Sequence, residues 1–251
     1  MRSITIRVEE EYGLRREAEP VTVGVPFPKG LLAAPTRLEL RGPRGQQLPL
    51  QASMLARWSD RSVKWALLDF QASVEPRSTA AYELVVASRD VAVDTDRAMV
   101  IEESAERIVI DTRAAVFVLD ARRFAPFRRV LIGQTDVLSQ DGSATRLIDD
   151  NSRLYTARID HIEIETRGPC RTTVLTHGWF RGAARRSYAE FAARLGFFRD
   201  SGTVEIRFTI RNPRAAKHRG GFWDLGDPGS IYVRELSIAM GFASPSKPNN
   251  A

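Results

Sequence analysis

The feature that most constrains this chain is a strict alternation of apolar and polar side chains. Residues 204–210 carry an apolar side chain at every second position, and residues 191–197 repeat the pattern. The polar segment Arg199-Asp200-Ser201-Gly202 separates the two runs. Successive side chains of a β-strand point to opposite faces, so a period of two predicts strands, and the short polar connection predicts a β-hairpin.

Strand-like patterns recur along the rest of the sequence. They are predicted at residues 4–8, 21–25, 37–41, 48–58, 62–72, 80–87, 107–112, 114–119, 130–137, 155–166, 171–180 and 230–242. A change of apolar parity at Asp160-His161 predicts a β-bulge. Helical patterns are scarce: residues 183–193 have helical propensity, but their continuation into the alternation favours a strand. Roughly fifteen strands with regular turn signals predict an all-β protein, either a barrel plus a sandwich or two sandwiches.

The strands fall into two groups. A polar segment from Ser88 to Arg97 separates them, so we expect a first domain at residues 1–88 and a second at 97–243. The end of the chain, residues 244–251, contains two prolines and no apolar anchor, which is typical of a linker-like tail.

Composition excludes several classes of protein. With 43% hydrophobic residues and a net charge of +6 in 251 residues, the chain has enough apolar surface for sizeable cores, which argues against disorder. The single cysteine, Cys170, excludes internal disulfides and a multi-cysteine zinc site. No apolar run approaches the roughly 20 residues of a membrane-spanning helix, and no signal-peptide core follows Met1. We therefore expect a soluble cytoplasmic protein without a membrane partner.

The basic charge has two interpretations. The sequence pI is about 9.9, and only four of the 37 cationic residues are lysines. The arginines are spread over nearly every segment, which is typical of solvated strand faces. Attraction to an acidic polymer is the alternative, and because the guanidinium group suits carboxylates as well as phosphates, it includes both acidic polysaccharides and nucleic acids.

Two N-terminal segments are candidate contact sites. Residues 25–32 hold two prolines. This segment either presents Phe27 and Lys29 as ligand contacts or forms a rigid turn in which Phe27 plugs the end of a barrel. In residues 58–70, a tight turn joins two strands, and Trp58 or Trp65 is either a sugar-stacking platform or a core residue. The interpretation as a core residue is favoured, since both faces of the second strand are largely apolar.

A third candidate is the loop at residues 218–230. It carries His218, Trp223, Asp224 and Asp227 among four glycines, a composition that suits a contact surface for a sugar or a neighbouring domain. The two aspartates are possible calcium ligands, but two carboxylates are too few for a convincing site, and Asx turns explain them more simply. We assign no cofactor.

The sequence shows no catalytic constellation. His161, His177 and His218 are the only histidines, and their spacing does not predict a metal site. Adjacent carboxylates, such as Glu102-Glu103, face opposite sides of a strand and make poor catalytic pairs. We therefore assign no catalytic residues and no metal ligands.

Three segments together resemble a known family. They are Val-Pro-Phe-Pro-Lys-Gly at 25–30, Trp-Ser-Asp-Arg-Ser-Val-Lys-Trp-Ala-Leu-Leu-Asp at 58–69, and Gly-Phe-Trp-Asp-Leu-Gly-Asp-Pro-Gly-Ser at 221–230. With these motifs, residues 1–243 resemble the first two domains of the exo-rhamnogalacturonan lyase-like proteins. The resemblance implies an N-terminal RIFT-like β-barrel, a larger central antiparallel β-sandwich, and pectin-related carbohydrate chemistry. Relatives continue into a helical domain expected to hold the lyase centre, which would be a partner of this chain if its gene continues.

The leading hypothesis is therefore a non-catalytic β portion of a lyase-like carbohydrate-active protein. It acts as a scaffold with a possible share in binding an acidic polysaccharide or oligosaccharide through Phe27, Lys29, Trp58, His218, Trp223, Asp224 and Asp227. A free-standing carbohydrate-binding protein is the alternative. A basic β-barrel that binds nucleic acid is a third interpretation, disfavoured because the aromatic residues are expected to be buried.

Overall fold

The structure, a computed structural model, describes residues 2–92, 98–139, 142–183, 186–215 and 227–243. Within these ranges, the regular elements are strands, together with the short 3-10 helix Pro35–Arg37. The all-β prediction is confirmed. Within the described residues, no helix is long and apolar enough to cross a membrane.

The chain divides into two compact units. The first contains Met1–Met99 and Arg167–Thr172, and the second contains Val100–Thr166 and Thr173–Ala251. The chain thus returns to the first unit for one hexapeptide, which we call the strap (Arg167–Thr172).

The first unit is built from two antiparallel sheets. Its strands are β1 (Arg2–Glu9), β2 (Arg16–Pro26), β3 (Leu38–Arg41), β4 (Gln47–Leu48), β5 (Gln51–Arg57), β6 (Val63–Val74) and β7 (Thr79–Val86). One sheet has the order β1-β7-β3-β4 and the other β2-β6-β5. Their apolar faces bury a common core that includes Phe27, Leu40, Leu68, Phe70 and Leu84. The alternation of side chains along each strand is what supplies those faces.

The strap is held on the first unit by polar contacts. The Gln51 side-chain oxygen accepts hydrogen bonds from the backbone N–H groups of Cys170 and Arg171, at 3.2 and 2.8 Å. The Arg171 guanidinium lies 3.4 Å from Oδ1 of buried Asp69, which also accepts a 2.5 Å bond from the Thr22 hydroxyl. Gly168 passes so close to the Gln51 amide that a Cβ would overlap it.

The described residues of the second unit form a five-stranded and a six-stranded sheet. Its strands are β8 (Val100–Glu103), β9 (Arg107–Asp111), β10 (Val116–Asp120), β11 (Arg129–Ile132), β12 (Thr135–Asp136), β13 (Ala144–Asp149), β14 (Leu154–Thr166), β15 (Arg171–Arg181), β16 (Ser187–Phe198), β17 (Val204–Arg211) and β18 (Val233–Ala239). The orders are β12-β11-β10-β9-β8 and β17-β16-β15-β14-β13-β18.

Aromatic packing joins the two sheets of the second unit. Phe117 on β10 and Phe197 on β16 have ring centroids 5.3 Å apart, and both contact Phe127. Tilted and edge-on rings at such distances add to the stabilisation from burial alone. This interior is the core of the predicted sandwich.

Most of the predicted strands are present in the structure, with three exceptions described below. The hairpin is present as β16 and β17, with Phe191 opposite Ile210, and a register shift between Ile159 and His161 confirms the bulge. The single strand predicted at 130–137 is wrong, because Gly133 (φ +59°) turns the chain between β11 and β12. The run at 48–58 is interrupted before β5, and β8 and β13 were missed.

Candidate functional site

The candidate site, here called the Trp58 site, consists of the loop 26–32 after β2 and the turn 58–62 between β5 and β6 with the adjoining start of β6. Strand pairing places Pro26 opposite Trp65, which brings the loop against the turn. The Phe27 N–H donates to the Lys64 carbonyl at 2.9 Å, and the Trp58 indole N–H donates to the Phe27 carbonyl at the same distance. Two segments distant in sequence thus form one rigid surface.

Asp60 organises the turn. Its Oδ1 accepts from the Ser62 hydroxyl at 2.6 Å and from the Ser62 N–H at 3.0 Å, while the Ser62 hydroxyl oxygen accepts from the Gly30 N–H at 2.9 Å. These bonds from Ser62 lower the pKa of the Asp60 carboxyl, and the charge of Lys29 contributes further although partial burial opposes it. A carboxylate engaged in this way is a weak base.

Trp58 is half-buried and carries a cation over its ring. The Lys64 Nζ lies 4.7 Å from the ring centroid, within the range of a cation–π interaction. Its indole N–H is already used by Phe27, so the ring is held in one orientation. The arrangement places ammonium groups beside a half-buried aromatic ring, one face of which Lys64 covers, and it suits a polar ligand that carries acceptors or a negative charge.

Trp65 departs from the favoured interpretation. It is 40% exposed, so it is not a core residue, and its indole packs along Gly24 at a distance that a Cβ would also tolerate. The pattern misled because both faces of β6 look apolar in sequence, while the packing of the unit leaves this position open.

The side chains of Phe27 and Lys29 lie in different environments. Phe27 is only 2% exposed and packs in the core, which fits a ring that plugs the barrel, whereas Lys29 is exposed beside Asp60. The structure thus brings Lys29 and Trp58 to one surface and directs the Phe27 ring away from it.

The third candidate segment is described only in part. His218, Trp223 and Asp224 lie outside the described residues. Asp227 forms an Asx-type turn, in which its Oδ1 accepts from the Gly229 N–H at 2.6 Å. Within the described ranges, no group of three or more histidine, cysteine or acidic residues is arranged to hold a metal ion.

Sequence reasoning missed two features of the first unit. Asp60, Ser62 and Lys64 take part in the Trp58 site, and the Ser-Asp-Arg-Ser turn was the available signal for the first two. A cleft of about 610 Å³ is also present, lined mainly by aliphatic residues near β4 and β5 and by Arg167, Gly168 and Pro169 of the strap. No local pattern predicts it, because its walls come from segments far apart in sequence.

The comparisons with known proteins agree with the resemblance in the first unit. No curated protein matches the chain significantly. A family model does match: residues 10–86 correspond to the PcRGLX-like N-terminal RIFT barrel domain, a segment that contains two of the three motifs. Residues 10–86, which lie in the first unit, are thus similar to a PcRGLX-like N-terminal RIFT barrel domain.

Proposed function

We propose that this chain is a non-catalytic β scaffold of a rhamnogalacturonan lyase-like carbohydrate-active protein, and that its Trp58 site contacts an acidic polysaccharide or oligosaccharide. The observation that carries the proposal is the position of Trp58, Lys64 and Lys29 on one rigid surface of a barrel that matches the family. An indole face packs against the apolar face of a sugar ring, and ammonium groups attract a uronate carboxylate.

The chemistry of the site favours binding over catalysis. β-Elimination needs a base for the proton next to the uronate carboxylate and a group that neutralises the carboxylate charge. Asp60 is the acid of the Trp58 site, and its lowered pKa makes it a poor proton acceptor. The lysines of the site attract the substrate and can neutralise its carboxylate charge, but they do not provide the base.

Calorimetry tests the binding claim. We expect heat on titration with acidic rhamnogalacturonan or galacturonate oligosaccharides, and at least a roughly tenfold weaker affinity in Trp58→Ala and Lys64→Gln, since loss of a stacked ring or a charged partner costs about 1–3 kcal/mol. Tyr12→Ala removes an exposed aromatic ring outside the site and serves as the matched control. Equal affinity of Trp58→Ala and the unmutated chain would contradict the site.

A separate assay tests the non-catalytic role. The chain is incubated with rhamnogalacturonan, and the ultraviolet absorbance of unsaturated products is followed. We expect no increase above the blank, whereas clear turnover by these 251 residues would overturn the role of scaffold. Calorimetry with acidic and neutral oligosaccharides tests the alternative of a free-standing carbohydrate-binding protein, which the absence of heat with all of them would contradict.

A further inference from the structure

Two of the three histidines of the chain lie directly opposite each other on neighbouring strands. The register of β14 and β15 pairs His161 with His177, just after the bulge at Asp160. Directly opposite residues of an antiparallel pair project from the same face, with their Cβ atoms about 4.5–5.5 Å apart. Both side chains are exposed. The fold thus places two imidazoles side by side at the surface of the second unit.

A carboxylate accompanies the pair. Glu163 follows His161 by two positions on β14 and so projects from the same face, and its Oε2 lies 3.3 Å from the His161 Nε2. Metal-binding histidines commonly donate their second ring N–H to a carboxylate, which fixes the orientation of the ring. With Nε2 directed to Glu163, the Nδ1 of His161 remains as the ligand atom.

We propose that His161 and His177 form a two-imidazole surface site for a late first-row divalent metal ion, with Glu163 as the positioning residue. Imidazole nitrogen suits Cu²⁺, Ni²⁺ and Zn²⁺, and bonds of about 2.0–2.1 Å to zinc are within reach of two rings on adjacent strands. The described residues offer no set of three ligands, so water completes the coordination. Cu²⁺ binds tightest, following the general order of affinities for nitrogen ligands.

The test titrates the full chain with Cu²⁺ alone, by calorimetry and by electron paramagnetic resonance. We expect one site with nitrogen hyperfine structure from two imidazoles. His161→Asn and His177→Asn each weaken the affinity by at least roughly tenfold, and the double variant loses the site. Glu163→Gln weakens it to a smaller extent, because it removes an orienting partner and no ligand.

Controls separate the site from other sources of metal affinity. His218→Asn removes the remaining histidine and should leave the titration unchanged. Because both strand histidines are exposed, their variants should melt as the unmutated chain does without metal. Unchanged affinity in His177→Asn, or a loss caused by His218→Asn, would overturn the proposal. These metal titrations do not test the Trp58 site, which belongs to the first unit.

Discussion

Glu10 shows how one buried carboxylate can organise a local structure. It accepts hydrogen bonds from the backbone N–H groups of Arg77 at 3.0 Å, Gly13 at 2.8 Å and Tyr12 at 3.1 Å, and Arg16 lies 3.7 Å away. The bond from Arg77 lowers the pKa of Glu10 most, and the bonds from the following turn lower it further against the effect of burial. The charged form of Glu10 thus stabilises the connection of β1 and β2 with the turn before β7.

This pKa shift makes the stability of the barrel depend on pH. A carboxyl group with a lowered pKa in the folded state stabilises the protein above its unfolded-state pKa, about 4.3 for glutamate, and this contribution is lost as the pH falls through the lower value. We expect Glu10→Gln to lower the urea midpoint at pH about 7 and to flatten the loss of stability between about pH 5 and 2. Glu17→Gln, at an exposed position on β2, is the control. If Glu10→Gln had the same pH profile of stability as the unmutated chain, this role of Glu10 would be contradicted.

The residues of the Trp58 site show which structural features can be predicted from residue type and which cannot. Asp60 and Ser62 in a short turn indicate side chains that hydrogen-bond to the backbone, and they do so here. The burial of Phe27 agrees with the predicted turn in which its ring plugs the barrel, whereas the exposure of Trp65 disagrees with its favoured interpretation as a core residue. The exposure of Trp65 depends on which face of the strand the neighbouring sheet covers, and a strand whose two faces both look apolar does not report that.

At the scale of elements, the strap links a strand edge to a distant segment. The Gln51 oxygen is the acceptor for two strap N–H groups, and Asp69, opposite Gln51 in the pairing of β5 with β6, faces the Arg171 guanidinium. Buried polar groups of this kind stabilise a structure only while each keeps its partner. The hydrogen bonds between the strap and Gln51 should therefore be sensitive to added side-chain volume in the strap.

Gly168 offers a sharp test of this sensitivity. An alanine Cβ would overlap the Gln51 amide and displace it from the Cys170 and Arg171 N–H groups. We expect Gly168→Ala to destabilise the protein by about 1–3 kcal/mol in urea unfolding, with faster hydrogen exchange in peptides that cover residues 167–172.

Gly202→Ala is the matched control for that change. A Cβ at Gly202 meets no atom within 4 Å, so the substitution should be neutral or stabilising by up to about 1 kcal/mol. Similar unfolding midpoints for the two alanine variants would show that the strap contributes little to the stability of the barrel.

At the scale of the whole molecule, the question is how the many arginines are accommodated, and in two cases on the second unit they pair with nearby acids. Arg194 donates to both carboxylate oxygens of Glu165 at 2.8–3.0 Å, and this hydrogen bonding raises the pKa of Arg194. Arg181 pairs with Asp160 at 2.8 Å. Neutralised cations of this kind do not add to a continuous basic surface, which argues for the interpretation of solvated strand faces.

The expected consequence concerns nucleic acid. We expect fluorescence anisotropy with a labelled single-stranded oligonucleotide to show only weak binding at about 50 mM salt and none at about 200 mM, because non-specific contacts to phosphates are lost as salt rises. Tight binding that persisted at the higher salt would restore the nucleic-acid interpretation. The Trp58→Ala variant, compared in the same assay, shows whether stacking on that ring contributes.

What the sequence alone determined is the local structure: an all-β chain, the hairpin of β16 and β17, and the bulge at Asp160. These follow from the period of two, which is a property of the extended backbone and is visible in any short window. The motifs at 25–30 and 58–69 likewise marked the barrel that the family model matches.

Contacts between distant residues could be seen only once the strands were packed together. The pairing of His161 with His177, the docking of the strap on Gln51, and the indole of Trp58 bonded to the Phe27 carbonyl all depend on strand order and register. Spacing along the chain carries no record of these partners, because strand pairing is selected by the burial of whole sheet faces. A shift of one residue would invert every side chain on a strand and separate each of these pairs.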